Sequence, residues 1–121
     1  MAIGLDADMR IEHDKLVRDR VVDAIIADGH TCKVERLSPE RYLIELKRKL
    51  VEESREVLAA ETRDDVVAEL ADVAEVILAM IAVIGVCEED VELERRARFA
   101  RRGGFTERVF LQFVDTRQAQ P

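Results

Sequence analysis

The longest apolar stretch of the chain runs from residue 66 to residue 86 and reads VVAELADVAEVILAMIAVIGV. Its charged residues are Glu69, Asp72 and Glu75, and Gly85 lies near its end. A helix that is apolar around its whole circumference is a buried helix. Because about 100° separates consecutive residues of a helix, spacings of three and six residues place the three acids on one broad face. The sequence therefore predicts a buried helix that carries a strip of carboxylates.

Two helices are predicted before this stretch. Apolar residues recur at helical spacing from about Lys15 to Asp28, and a glycine follows, so we expect a first helix there. Ser38 and Pro39 indicate the start of a second helix, because serine caps helix N-termini and proline suits the first helical position. This second helix is expected to run to about Ala60.

The apolar stretch belongs to a third helix, and a fourth helix follows it. Thr62 and Asp65 have the spacing of an N-terminal capping motif, and Gly85 suits a helix end. We therefore expect the third helix from about residue 64 to residue 84. The charge-rich segment from about residue 88 to residue 101 predicts the fourth helix, which ends at two glycines.

The remaining segments are less regular. Residues 107–114 carry a weak strand signal and predict a short extended C-terminal tail. Residues 1–13 and 115–121 are expected to be loose. Four helices with short connections indicate a helical bundle. We therefore expect a single all-α domain over residues 1–121, with a four-helix-bundle-like architecture.

The charge of the chain limits its partners. The formal net charge is −7 and the pI is near 4.9, whereas nucleic-acid polymers and anionic membranes attract basic proteins. A nucleotide remains compatible, because it can arrive with its own Mg²⁺. The uninterrupted apolar run after Glu75 is shorter than the ~20 residues that a bilayer requires, and the acidic first residues are unlike a signal peptide. We expect a soluble, cytoplasmic protein that binds no membrane and no nucleic-acid polymer.

The second helix places a carboxylate at a core-facing position. Positions spaced alternately by three and four residues along it hold Leu43, Leu46, Leu50, Glu53 and Val57. Glu53 therefore stands where a core leucine is expected. Carboxylates that face each other across two helices favour a hard divalent cation such as Mg²⁺ or Mn²⁺. Neither helix contains histidine or cysteine, which disfavours both zinc and a di-iron centre built on Glu-x-x-His.

The acids of these two helices resemble a known signature. The chain contains Glu53-x-x-Glu56, then twelve residues, then Glu69-x-x-Asp72. This pattern resembles the ExxE…ExxD motif of the all-α nucleoside triphosphate pyrophosphohydrolases, the MazG-like superfamily. The segments KLVRDRVVDAI, YLIELKRKLVEESREV, AELADVAEVI and RRGGF resemble one branch of it, which is labelled phosphoribosyl-ATP pyrophosphohydrolase-like and regarded as house-cleaning. The resemblance covers roughly Lys15 to Leu111.

The resemblance implies a MazG-like all-α fold and Mg²⁺-dependent hydrolysis of a canonical or non-canonical nucleoside triphosphate between its α- and β-phosphates. The products would be a monophosphate and pyrophosphate. The residues that match the family's metal ligands are Glu53, Glu56, Glu69 and Asp72. Glu52 matches the first acid of the family's EE pair, which would ligate a second ion or orient water. The candidate catalytic residues are therefore Glu52, Glu53 and Glu56. Two other functions stay open: a phosphoribosyl-ATP pyrophosphohydrolase of histidine biosynthesis, and a non-catalytic helical dimer that binds a nucleotide.

Four basic residues are candidate contacts for the substrate phosphates, namely Lys15, Arg18, Lys49 and Arg102. Each of them has a structural alternative. Lys15 and Arg18 can form ion pairs at the start of the first helix. Lys49 can pair with Glu53 one turn later, and Arg102 can complement the dipole at the end of the fourth helix.

The acids also have structural alternatives. Glu69 and Asp72 can belong to a buried ion pair with a neighbouring helix. Glu53 can lie at an edge with its carboxylate in water, and Glu52 can lie on a solvated face. For Glu75, a supporting role beside the ligands is an alternative to direct ligation.

The third helix also predicts self-association. It has apolar residues on every side, and we expect the three other helices to leave part of it uncovered. An interface between subunits would bury the remainder. Relatives of the resembled fold commonly build their sites near such interfaces. We therefore expect a homodimer or a higher homo-oligomer.

Overall fold

The computed structural model of the chain describes residues 9–117. Its four helices are α1 (Val21–Ala27), α2 (Pro39–Ala59), α3 (Arg63–Ile84) and α4 (Glu88–Arg102). All regular secondary structure within residues 9–117 is helical, which confirms the predicted all-α class. The chain divides into two compact units between Val86 and Cys87. The single domain and the bundle of four helices stay predictions, and each unit is described by itself below.

Helices α2 and α3 form the packed centre of the first unit. They are consecutive and are joined by three residues, 60–62, so they pair as an antiparallel helical hairpin. Among residues 9–117, the buried apolar side chains are Leu46 of α2 and Val76 and Ile81 of α3. The other positions of the α2 heptad are partly buried. The predicted core-facing side of the second helix is therefore confirmed, with Glu53 on it.

Local capping sets the limits of these two helices as the sequence predicts. The Ser38 hydroxyl accepts a hydrogen bond from the backbone N–H of Arg41 at 3.3 Å. The Thr62 hydroxyl accepts one from the backbone N–H of Asp65 at 3.1 Å. Gly85 ends α3 with a φ of 79°, a left-handed conformation that glycine adopts without steric cost.

The first helix is shorter than predicted. It begins at Val21 instead of Lys15, and residues 14–20 form an irregular segment with a turn at its end. The side chains of Lys15 and Arg18 reach carboxylates of α2 and α3. These ion pairs connect the irregular segment to both helices of the hairpin.

The second unit consists of α4 and the segment that follows it. The Asp90 carboxylate accepts the backbone N–H of Cys87 at 2.9 Å and closes the first turn of α4, and this hydrogen bond lowers the pKa of Asp90. Within the helix, hydrogen bonds from Arg95 lower the pKa of Glu92 to about 2. Arg102 lies in the last turn, where a cation complements the helix dipole.

The weak strand signal in the tail gives no strand among the described residues. Residues 107–114 lie outside regular secondary structure, because an extended segment becomes a strand only when it pairs with a neighbour. Residues 9–13 and 115–117 lie outside the helices and are exposed, and the looseness expected there stays a prediction. The rest of those predicted ends, residues 1–8 and 118–121, lies outside the described residues.

Length and apolar composition determine whether a helix can cross a bilayer. Taken singly, none of them is both long enough and apolar enough to cross a membrane. Helices α3 and α4 reach that measure of length and composition only when they are counted together.

The hairpin core provides a stability test. Leu46 is 4 % exposed, so Leu46→Ala removes apolar contacts and leaves a cavity. We expect it to lower the free energy of unfolding by about 2–5 kcal/mol, measured by urea denaturation. Leu58 lies on the same helix and is 87 % exposed, so Leu58→Ala is the matched control, with an expected change within about 0.5 kcal/mol. Equal losses for the two variants would contradict the assignment of the core.

Candidate metal and substrate site

Three carboxylates converge where α2 and α3 pack together. They belong to Glu53 of α2 and to Glu69 and Asp72 of α3, and one oxygen of each lies within 4.8 Å of the others. Glu53 reaches this position from the core-facing heptad of α2, and its side chain is 13 % exposed. Glu69 and Asp72 are three residues apart, so they lie one turn from each other on the facing side of α3. Three predicted metal ligands are thus brought together.

The donor set suits a hard divalent cation. All three groups offer carboxylate oxygens, which Mg²⁺ and Mn²⁺ prefer, and Mg²⁺ in proteins usually keeps several water ligands. Three protein ligands leave coordination positions for water and for phosphate oxygens of a substrate. Among the described residues, this cluster contains no histidine or cysteine, so zinc is disfavoured on chemical grounds.

The electrostatics of the cluster are unfavourable without a cation. Partial removal from water raises the pKa of Glu69, and the negative charges of Asp72, Glu56 and Glu53 raise it further. Glu56, the fourth predicted ligand, is exposed and is not part of the group of three. Its charge nevertheless acts on Glu69. Glu56 is therefore placed beside the cluster, where its own role as a ligand stays a prediction.

Basic side chains of the same unit neutralise these acids. Arg18 donates to Asp72 at 2.7 Å, and Lys15 donates to Glu52 at 2.9 Å. Lys49 lies 3.3 Å from Glu52 and 3.6 Å from Glu53. The hydrogen bond from Lys15 lowers the pKa of Glu52, and the same bond raises the pKa of Lys15.

These ion pairs bear on the two alternatives that the sequence left open for the basic residues, namely contact with substrate phosphates and pairing with acids. For Lys15, Arg18 and Lys49, the structure shows the ion-pair alternative, and contact with substrate phosphates stays a prediction. The pairs of Lys15 and Arg18 start from the irregular segment 14–20 instead of a helix start. Arg102 ends α4 in the second unit, as its structural alternative predicts, and its part in a substrate site stays a prediction.

A pocket of about 260 Å³ adjoins the cluster and shares Glu53 and Asp72 with it. Helices α2 and α3 supply an apolar wall, and the irregular segment supplies the side opposite. The apolar lining consists of Leu16, Val17, Tyr42, Leu46, Val76 and Ala79. Arg18 and Lys49 add positive charge to the same lining. The arrangement combines an apolar surface, cations and clustered carboxylates within one concave site, as small-molecule sites do.

The sequence did not identify every residue of this site. Leu16 and Val17 line the pocket, although their apolar character predicted a helix side. The expected burial of the acidic strip is wrong for the described residues, because none of their charged side chains is buried. Glu69 and Asp72 are partly buried, and Glu75, which also lines the pocket, is exposed. Each three-residue step falls about 60° short of a full helical turn. By Glu75, the side chain has moved about 120° from Glu69 and lies at the exposed edge.

Comparison with known proteins gives a partial relative without a described activity. Over 50 residues the chain is 46% identical to an uncharacterized protein of Mycolicibacterium smegmatis, and this segment is 41% of the chain and 51% of the relative. The chain therefore spans about half the length of the relative it matches. No family model and no solved structure matches the chain. A functional assignment accordingly depends on the site and on the resemblance of its motif.

The repulsion at Glu69 predicts a pH-dependent stability change. Because its pKa is raised in the folded protein, the ionised side chain weakens the fold at neutral pH. This effect disappears as the pH falls below the pKa of an unfolded glutamate, about 4.3. Glu69→Gln should therefore raise the thermal midpoint at pH 7 in EDTA, with the difference from wild type vanishing near about pH 4. Differential scanning fluorimetry of wild type and variant at the two pH values measures the difference in thermal midpoint.

The control for this experiment is Glu61→Gln, which removes the same charge from an exposed position in the loop that joins α2 to α3. It should leave the midpoint nearly unchanged across the same pH range. A drop in stability on Glu69→Gln at pH 7 would show that the carboxylate is held by an attractive contact.

Proposed function

We propose that the protein is a metal-dependent nucleotide pyrophosphohydrolase that cleaves the α–β phosphate bond of a nucleoside triphosphate into a monophosphate and pyrophosphate. The observation that carries this proposal is the convergence of Glu53, Glu69 and Asp72 from two helices beside a pocket. The residues are those of the ExxE…ExxD pattern, and their separation suits a single small cation. The finer fold proposed with this function is the MazG-like all-α fold.

Each residue of the site has a role in this proposal. A bound Mg²⁺ or Mn²⁺ would neutralise phosphate charge and acidify a water molecule. Glu53, Glu69 and Asp72 would hold the ion, and Glu56 would complete its protein ligands. Glu52 lies next to Glu53 on α2 and would orient the attacking water or hold a second ion. The hydrolysis of a phosphoric anhydride requires positioning and charge stabilisation more than covalent chemistry by the protein.

The basic residues would change partners when a substrate binds. Arg18 and Lys49 line the pocket and currently contact carboxylates of the cluster. A divalent cation on those carboxylates would take over the neutralisation. The guanidinium of Arg18 and the ammonium of Lys49 would then be free to contact phosphate oxygens. Lys15, which contacts Glu52, can exchange in the same way.

The choice of the α–β bond has two supports. The first is the resemblance of the motif. The second is that the sequence contains no GxxxxGK[ST] loop, the arrangement that commonly cradles phosphates for transfer of the γ-phosphate. With few basic groups around the pocket, metal ions must supply much of the positive charge that a pyrophosphate leaving group requires.

We also propose that the protein acts as a homodimer or a higher homo-oligomer. In the described part of the chain, the side of α3 that points away from α2 carries exposed apolar residues. They include Val67, Leu70, Ile77 and Leu78, which are 40–60 % exposed. Val67, Leu70 and Ile77 are spaced by three and seven residues, which is the spacing of a helix–helix interface. A second subunit on this side would bury a helix that the sequence predicts to be buried.

Turnover gives the direct test of the proposed function. A panel of nucleoside triphosphates should yield monophosphate and pyrophosphate in the presence of Mg²⁺ or Mn²⁺ and nothing in excess EDTA. Glu53→Gln, Glu69→Gln and Asp72→Asn should each lower kcat/KM by about 100-fold or more, because ligand loss exceeds the 10–100-fold effect of residues that only support ligands. Glu61→Gln is the matched control and should retain the wild-type rate.

The products distinguish the proposal from its competitors. In ¹⁸O-labelled water, mass spectrometry should find the label in the monophosphate or the pyrophosphate, according to which phosphorus is attacked. Diphosphate and orthophosphate would refute cleavage of the α–β bond. Nucleotide binding without turnover of any member of the panel would favour a non-catalytic binding protein, and selective cleavage of phosphoribosyl-ATP would favour the histidine-pathway reaction.

The exchange of partners at Arg18 has its own test. Arg18→Gln removes a cation that competes with metal for Asp72, so the variant should bind Mn²⁺ more tightly. Exposed ion pairs contribute about 0.2–1 kcal/mol, which corresponds to an affinity gain of up to about fivefold, measured by calorimetry. Arg36→Gln removes the same charge from an exposed position outside the site and serves as the control. Equal affinities for wild type and Arg18→Gln would refute the competition.

A further inference from the structure

The segment that follows α4 exposes an unusual amount of apolar surface. Residues 105–114, here called the arm, read FTERVFLQFV and include three of the four phenylalanines of the chain. The apolar residues of the arm are 67–96 % exposed. They are Phe105, Val109, Phe110, Leu111, Phe113 and Val114. Apolar groups concentrated in this way mark an interaction surface more often than a free surface.

The area of the arm is that of a specific interface. A buried phenylalanine contributes about 150–250 Å², so Phe105, Phe110 and Phe113 together offer roughly 500 Å². Two valines and a leucine bring the total near the roughly 800 Å² that one partner contributes to a standard interface. The arm alone can therefore supply most of one side of a stable contact.

A second apolar surface lies on the same chain. It is the outer face of α3, defined by Val67, Leu70, Ala74, Ile77 and Leu78, all of which are exposed. The face extends over about 17 Å along the helix, at 1.5 Å per residue. It contains no charged residue, and neither does the arm from residue 109 to residue 114. Neither surface would have to desolvate a charge on contact.

The burial within the chain favours another copy of the same chain as the partner. Among residues 9–117, three apolar side chains are buried, and all of them belong to α2 and α3. Association between copies would bury the apolar surface that the arm and the outer face of α3 expose. Each copy of the chain carries one arm and one outer face of α3. In a twofold dimer, the arm of each copy can therefore cover the outer face of the other.

A membrane is a less suitable partner for the arm. The charged residues within the arm and directly after it are Glu107, Arg108, Asp115 and Arg117. Their formal charges cancel. Attraction to anionic lipid surfaces requires clustered lysine and arginine, and the chain as a whole has a net charge of −7.

We propose that the arm of one copy docks on the outer face of α3 of a second copy, and that this contact holds the dimer together. Gly103, with a φ of 76°, and Gly104 precede the arm. The backbone region of Gly103, which is essentially restricted to glycine, turns the chain out of the helical path of α4. The arm therefore does not continue α4, and its apolar side chains are exposed to a neighbouring subunit. The proposal rests on the homo-oligomer proposed above and is independent of the hydrolytic reaction.

Sedimentation velocity of the full chain over a range of concentrations tests the contact. The wild type should be a dimer at micromolar concentration. The arm variant Phe110→Gln/Phe113→Gln and the face variant Leu70→Gln/Ile77→Gln should each raise the dimer Kd by at least about 100-fold, since central aromatic and aliphatic anchors dominate interfaces. Leu58→Gln changes an apolar residue of α2 that is 87 % exposed and should leave the Kd unchanged. Circular dichroism confirms that each variant keeps its helices.

Cross-linking between copies identifies the contact itself. In a chain with Cys32→Ser and Cys87→Ser, one preparation carries Phe110→Cys and the other carries Leu70→Cys. After mixing and mild oxidation, a disulfide should join the two preparations. Phe110→Cys mixed with Leu58→Cys should give no such product.

The outcomes separate the two proposals. A wild-type monomer would overturn both the homo-oligomer and the docking of the arm. A dimer that the face variant dissociates and the arm variant leaves intact would overturn the docking alone. Loss of stability in the arm variant without a change of mass would show docking within one chain, and binding of the arm to vesicles with no cross-link would assign it to a membrane. Either result refutes the contact between copies, and none of these measurements depends on turnover.

Discussion

The concentration of negative charge between α2 and α3 is the constraint on which the first unit depends. Glu53 occupies a position where leucine would pack, and it meets Glu69 and Asp72 of the facing helix. Ionised carboxylates at such distances require positive charge nearby, since each disfavours the ionisation of the others. The chain provides it from Lys49 on α2 and from Arg18 in the irregular segment. The Arg18 pair connects that segment, which also lines the pocket, to α3.

Local signals in the sequence were sufficient for the helical hairpin. Ser38, Thr62 and Gly85 act through hydrogen bonds and backbone angles within a few residues, so their effects can be read without knowledge of the fold. The heptad of α2 placed Glu53 on the inner face for the same reason. The motif spacing then brought Glu53, Glu69 and Asp72 together from two predicted helices that had only to pair side by side.

Long-range contacts account for what the sequence did not predict. Arg18 and Asp72 are 54 residues apart, and no periodicity within residues 15–28 reveals that the guanidinium would bond there. Leu16 and Val17 line the pocket beside this contact. Glu75 illustrates a different limit, because the mismatch between three-residue spacing and the helical turn accumulates along α3. The tail lacked a strand because pairing partners are not encoded in a single segment.

The ion pairs that hold the irregular segment are close to solvent, and this has a consequence for the conditions in which the site is open. Arg18 and Asp72 are 59 % and 38 % exposed, and Lys15 and Glu52 are 44 % and 34 % exposed. Exposed ion pairs weaken as the salt concentration rises, because the Debye length falls from about 8 Å at physiological ionic strength to about 3 Å at 1 M. These ion pairs therefore hold the segment against α2 and α3 least tightly in concentrated salt and most tightly in dilute buffer. Access to the pocket becomes a property of the surrounding electrolyte as well as of the protein.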